Sequence, residues 1–185
     1  MYLRLVTPPT IEPVTLEEVK LHLRVDGTEE DSLISALITA ARQKAEEYTK
    51  RAFITQSWEL ALDSVSGKVY LPRPPVQAIN EVILDGEIVS TENYALVGQD
   101  VFCAKIPLNA VNPAGLVIRY ASGYGNTATD VPQAVRQAIL MLVAHLYEAR
   151  EGETPQVEYE IQARAGVDIP PMVASLLRPY RVMML

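Results

Sequence analysis

The sequence is poor in the residues that carry metal and covalent chemistry. Cysteine occurs once, as Cys103, and histidine twice, as His22 and His145. A single cysteine forms no intrachain disulfide, and within VFCAKI it reads as a small buried hydrophobe rather than a reactive thiol. The histidines fall on different predicted helices, so no triad joins them to Ser122, whose context YASGYG also lacks the first glycine of G-x-S-x-G. His145 stands one helical turn before Glu148, but a lone His-x-x-Glu falls short of a four-helix carboxylate centre, which needs several inward acids. Catalysis is not expected, and neither is any cofactor.

Positive charge is also scarce. Sixteen Lys and Arg face 23 Asp and Glu, for a formal charge of −7, and the longest basic run is Lys50-Arg51. Wrapping or gripping DNA needs clustered cations, so a nucleic-acid-binding surface is excluded as the main function. No apolar run reaches the length of a membrane span, and MYLRLVTPPT lacks the charged-then-apolar order of a signal peptide. The expectations are no membrane association and synthesis in a cytoplasm. Hydrophobic residues at 49% and charged ones at 21% match ordinary globular usage, which sets aside disorder and fibrous repeats. A chain of 185 residues suits one domain with a substantial core, or one carrying a smaller insertion.

What is present begins with helices. Thr15 and Glu18 have the spacing of a capping box, so a helix should start at Leu16 and carry Leu16, Val19 and Leu23 on one face. Asp26-Gly27 is its expected stop. Thr28 and Asp31 repeat the capping pattern more weakly before a long second helix marked by Leu33, Ile34, Leu37, Ile38, Ala41, Ala45 and Tyr48. The acidic elbow between them, DGTEED, fails as a calcium loop. Counted from Asp26, the sixth residue is Asp31 where glycine is required, and the twelfth is Leu37. Glu29, Glu30 and Asp31 instead suit the first turn of a helix, where the dipole favours negative charge.

From Gln56 the period changes to that of strands. SWELALDSV, KVYL, INEVIL, NYALV, VFCAKI and GLVIRYA are short runs rich in Val, Ile and Tyr, separated by Gly, Asp, Asn and Pro turns too short for crossover helices. An antiparallel β unit follows. LPRPPVQAI, with three prolines in four residues, should be an extended edge or connector. GYGNTA, from Gly123 to Ala128, fits the permissive dinucleotide pattern, but no βαβ unit surrounds it.

The helical period returns after Gly125, with Asp130 as the expected N-cap and Pro132 in the first turn. Val135, Ala138, Ile139, Leu142, Val143, Leu146 and Tyr147 form a broad apolar face there. Residues 151 to 171 form a charged, Gly- and Pro-rich connector with room for one short strand, and MVASLL is a last short helix before the tail RPYRVMML. Nine of the twelve aromatic residues are Tyr. Tyr94, Tyr120, Tyr124, Tyr159 and Tyr180 fall where a ring with a polar tip suits an interface, with ordinary strand propensity as the alternative.

The order of these pieces resembles the phage head–tail connector proteins of the gp6-like type. The pieces are VTLEEVKLHLRVDGTEEDSLISALITAARQKAEEYTKRAFITQSWEL, then LPRPPVQAI, VIRYASGYG, DVPQAVRQAILMLVAHLYEAREG and LLRPYRV. The expected fold is α+β, a helical connector body from 1–55 and 126–185 with an antiparallel β insertion at 56–125. The resemblance implies a non-enzymatic adaptor subunit, assembled in a host bacterial cytoplasm into the head–tail neck of a virion. That particle is a tailed phage, a prophage or a gene transfer particle. Its implied partners are further copies in a ring, the portal protein and a head-completion or stopper protein, with DNA only passing through the channel. A solution monomer is compatible with this. Portal contact is expected at Arg178, Tyr180, Arg181, Val182, Met183, Met184 and Leu185, and ring-neighbour contact at Tyr159. The alternatives are a small nucleotide-binding enzyme using the Gly123 to Ala128 loop, or an unrelated helical protein-binding module.

Overall fold

The computed structural model describes residues 1–62, 69–98, 104–105, 115–149 and 169–182. The fold is α+β, and the chain divides into two compact units. One joins Met1–Ile11 to Lys50–Asn126 and the other joins Glu12–Thr49 to Thr127–Leu185. The sheet unit therefore takes more than residues 56–125. The first residues of the chain supply a strand, and the turn residues around Ile54 go with the sheet.

The sheet unit is built on five antiparallel strands. They are β1 (Tyr2–Thr7), β2 (Gln56–Leu62), β3 (Val76–Leu84), β4 (Glu87–Ile88) and β7 (Leu116–Ser122), in the order β1-β2-β7-β3-β4. A separate ribbon pairs β5 (Ala95–Leu96) with β6 (Ala104–Lys105). The alternation seen in SWELAL places Leu60 beside Ile118 of β7, and Ile118 beside Val82 of β3. These residues, with Leu116 and Tyr120, form a buried apolar layer closed by Val69, Leu71 and Val76. Tyr120 belongs to this core rather than to an interface. It is fully buried, and its hydroxyl donates to the Pro72 carbonyl at 2.8 Å. Burial pushes its phenol above the usual range. The prolines of LPRPP stop just short of the sheet, and β3 begins at Val76 immediately after them, as an inner strand along its β7 side. KVYL contributes the buried Val69 and Leu71 but no named strand.

Among the described residues the helical unit comprises α1 (Leu16–Leu23), α2 (Asp31–Thr49), α3 (Gln133–Glu148) and α4 (Pro171–Leu177). α3 packs against α1, α2 and α4. Val19, Ile34, Ile38, Ala41, Ala45, Val135, Ala138, Ile139, Leu142, Val143, Val173 and Leu177 are all buried. The capping box of α1 forms in full: the Glu18 N–H donates to Thr15 Oγ1 at 3.1 Å, and the Thr15 N–H donates to the Glu18 carboxylate at 2.9 Å. α1 stops earlier than Asp26-Gly27. Arg24 takes the left-handed cap at φ 58°, its N–H reaching the carbonyls of Leu21 and Lys20. Asp130 does not cap α3 either. It closes a 3-10 turn (Ala128–Asp130), accepting from the Thr127 N–H at 2.8 Å, and α3 follows with Pro132 at its N-cap.

Candidate assembly surfaces

Lys20 of α1 settles the acidic elbow as a joint. Its ammonium donates to Asp31 at 2.6 Å and to the Gly27 carbonyl, tying the start of α2 to the end of α1. Among the described residues no group of three or more His, Cys, Asp or Glu is placed to hold a metal ion. His22 is exposed on α1 and His145 half-buried on α3. Cys103 lies outside the described residues. No described helix is long and apolar enough to cross a membrane.

The glycine loop after β7 serves the sheet unit itself. The Gly123 N–H donates to the Pro75 carbonyl and the Tyr124 N–H to the Phe53 carbonyl, both at 2.9 Å, while Gly125 accepts from the Thr55 N–H at 2.9 Å. Gly123 has φ +140°, and a Cβ there would stand 2.6 Å from backbone atoms of Ile54 and Thr55. Two backbones approach so closely that no side chain fits between them, which accounts for the glycine without a phosphate. Gln77 completes the lock by donating to the Gly123 carbonyl at 2.8 Å.

One face of the sheet carries a charged rung that crosses four strands. Arg4 of β1 is opposite Glu59 of β2, Glu59 is opposite Arg119 of β7, and Arg119 is opposite Glu81 of β3. The ion pairs close at 2.7, 2.9 and 2.6 Å in that order. The hydrogen bond from Arg119 holds the Glu59 carboxyl below the usual carboxylate range, with Arg4 adding to it, and the same contact raises the Arg119 guanidinium. Neither residue number nor composition points to this rung; only the strand register assembles it. The strand carrying its first member is open. Among the described residues β1 pairs with β2 alone, and Tyr2, Leu5 and Val6 are exposed along it.

Two arginines add further polar fixings within the helical unit. Arg136 of α3 donates to the Pro13 carbonyl at 2.9 Å and to Glu18 at 2.5 Å, pinning the start of α1. The Glu18 carboxyl is held low by the Thr15 backbone hydrogen bond first, and by Arg136, against the opposing effect of burial. Arg42 is buried in α2, between Glu12 at 2.7 Å and Glu46 at 2.9 Å.

The tail residues anticipated as a contact surface are placed as far as Val182. Arg178 and Tyr180 lie in a 3-10 turn, Arg178 exposed and Tyr180 half-buried. The Arg181 guanidinium sits 5.3 Å from the Tyr48 ring centre, a cation–π arrangement. Val182 is buried, and its N–H donates to the Thr49 carbonyl at 2.9 Å. The chain is thus anchored to the end of α2 immediately before Met183, Met184 and Leu185. Those three residues, Tyr159 and the connector 151–168 lie outside the described residues.

Comparison with known proteins bears on this arrangement. Among curated protein sequences none matches the chain. Solved structures that match its fold include three in which the match covers 100% of this chain and 97% of theirs. They are the neck of an empty GTA particle computed with C6 symmetry (22% identity, TM-score 0.81), the virion of a native gene transfer agent (GTA) particle (23%, 0.78) and the neck of a native GTA particle computed with C12 symmetry (22%, 0.77). Residues 13–87 match the family described as phage gp6-like head–tail connector protein. That stretch runs from the capping box of α1 through the joint and α2 to the end of β3 and the start of β4. Over those 75 of its 185 residues the chain is similar to the gp6-like head–tail connector proteins.

Proposed function

We propose that this chain is a head–tail adaptor subunit, assembling as a ring beneath the portal in the neck of a tailed phage, a prophage or a gene transfer particle. It bridges the portal to head-completion or stopper proteins and continues the DNA channel. The observation that carries this reading is the fold likeness over the whole chain to neck subunits, together with the family match at residues 13–87. A twelve-membered ring is compatible with both the C6 and the C12 symmetry of the neck structures. The formal charge of −7 supports a channel element, since an acidic wall repels the DNA that must slide past it. Weak contacts suffice when many copies dock on one symmetric platform, so monomers in solution agree with rings in the particle.

In this reading the C-terminal segment faces the portal through Arg178, Tyr180, Arg181, Val182, Met183, Met184 and Leu185. The anchoring of Arg181 and Val182 on Tyr48 and Thr49 supports it by presenting the last three residues from a fixed point. Tyr159, in the connector, is a proposed contact with the ring neighbour. Electron microscopy of portal rings mixed with the intact chain, and with a chain ending at Leu177, tests both parts. Extra ring density lost on truncation supports adaptor and tail together. Density that survives truncation moves the portal contact elsewhere, and absence of added density over a range of salt contradicts the adaptor function.

A further inference from the structure

A ring of identical subunits joined head to tail needs two different surfaces that complement each other. The sheet unit has two such edges. At one end of the strand order, β1 has no strand partner on its outer side among the described residues and exposes Leu5 and Val6. At the other end, β4 pairs only with Ile83 and Leu84 of β3, leaving Val76 to Glu81 with no strand partner on that side among the described residues. Gln77, Ala78 and Asn80 are exposed there.

The charged rung ends differently at these two edges. Reading across the strands, it runs Arg4, Glu59, Arg119, Glu81, so the β1 edge terminates in a cation and the β3 edge in an anion. Successive strands are antiparallel, which makes β1 and β3 antiparallel to each other. A second copy continuing the sheet would bring its β3 against β1 in the favoured antiparallel sense. Its Glu81 would then fall opposite Arg4, and the alternation of charge would run unbroken from copy to copy.

We infer that the β1 edge of one copy, centred on Arg4 to Thr7, pairs with the β3 edge of the next copy, centred on Ala78 to Glu81, with Arg4 facing Glu81 across the contact. The inference rests on the ring reading above for closure, and on the sheet alone for the contact. It supplies main-chain hydrogen bonds to both open edges and covers the apolar side chains of β1.

Disulfide trapping tests it in the full chain in a Cys103→Ser background, with portal rings present. Residues directly opposite on antiparallel strands have Cβ atoms roughly 4.5–5.5 Å apart, close enough for a small strand adjustment to join them. Arg4→Cys with Glu81→Cys should form covalent multimers roughly tenfold or more faster than the control Arg4→Cys with Gln43→Cys, because specific association raises the local concentration. Equal rates would overturn the inference. Charge reversal gives a second readout, in which the double variant controls for the intrachain ion pairs that each single variant breaks. Arg4→Glu and Glu81→Arg each place like charges across the contact and should weaken ring assembly roughly three- to tenfold. The double variant carries both intrachain mismatches yet restores opposite charges between copies, so assembly should recover; further loss would overturn the contact. Added portal density without preferential trapping refutes the edge contact alone. Preferential trapping without portal density upholds the edge contact and refutes the portal reading, and failure of both refutes both.

Discussion

Replacing Gly123 with alanine isolates the reason for the glycine loop. The position has φ +140°, a region that residues with a Cβ rarely enter, at a cost of about 1–3 kcal/mol. The new Cβ would meet Ile54 and Thr55 backbone atoms at 2.6 Å, and ordinary contact begins at 3.4 Å. The two segments must part by about 0.8 Å, because backbone on both sides cannot rotate away as a flexible side chain would. That separation strains the Gly123 to Pro75 and Tyr124 to Phe53 hydrogen bonds, at about 1 kcal/mol each. The expected total is about 2–5 kcal/mol, or roughly 4–20 °C in the melting of the 185-residue chain. Gly86→Ala is the matched control. Gly86 also has positive φ, +87°, but nothing lies within 4 Å of the place its new methyl would take, so it should cost only about 1 kcal/mol. Differential scanning fluorimetry of the three proteins decides the matter. Equal shifts for the two variants would refute the close-approach argument. A melting temperature raised by nucleotides in the parent chain would reopen a phosphate role for the loop.

Arg42→Ala should cost about 3–5 kcal/mol by urea denaturation, since it strips the Glu12 and Glu46 carboxylates of a buried cation; a loss below about 1 kcal/mol would contradict that pairing. Thr15→Ala should cost about 1 kcal/mol by removing the Oγ1 that accepts from the Glu18 N–H, yet the backbone N–H of residue 15 still donates to the Glu18 carboxyl, so NMR titration of that side chain should find it still held low. Glu18 and Glu59 both have carboxyls held low in the folded state, so the unfolded chain binds their protons first as pH falls. Their stabilisation is complete above the ordinary value of 4.5 and is lost as pH drops through the lowered folded values. Denaturation midpoints should fall through that acid window, and Glu59→Gln should flatten the fall; an unchanged slope would remove Glu59 from the account.

Sequence and structure agree where the signal is local. The Thr15 and Glu18 box, the apolar spacing of α2 and α3 and the alternation in SWELAL each report on neighbours within one turn or one strand. The missed features are decided at a distance. Arg24 ends α1 in the left-handed region although arginine has no special preference for it, with Gly27 only three residues on. Arg42 and Glu46 have the spacing of an exposed helix pair, yet Glu12 arrives from thirty residues away and all sit against one face of α2. YLRLVT lacks strict alternation, and its partner strand begins past residue 55, so β1 goes unnoticed. The Arg4 to Glu81 rung needs the register of four strands before its charges fall into one row.

In the proposed function this chain forms a ring on the portal. Cryo-electron microscopy of its mixture with cognate portal rings tests that most directly. A symmetric layer of added density should appear beneath the portal, into which the sheet and helical units both fit. Bare portal rings at saturating chain, under salt conditions that leave the chain folded, would contradict it.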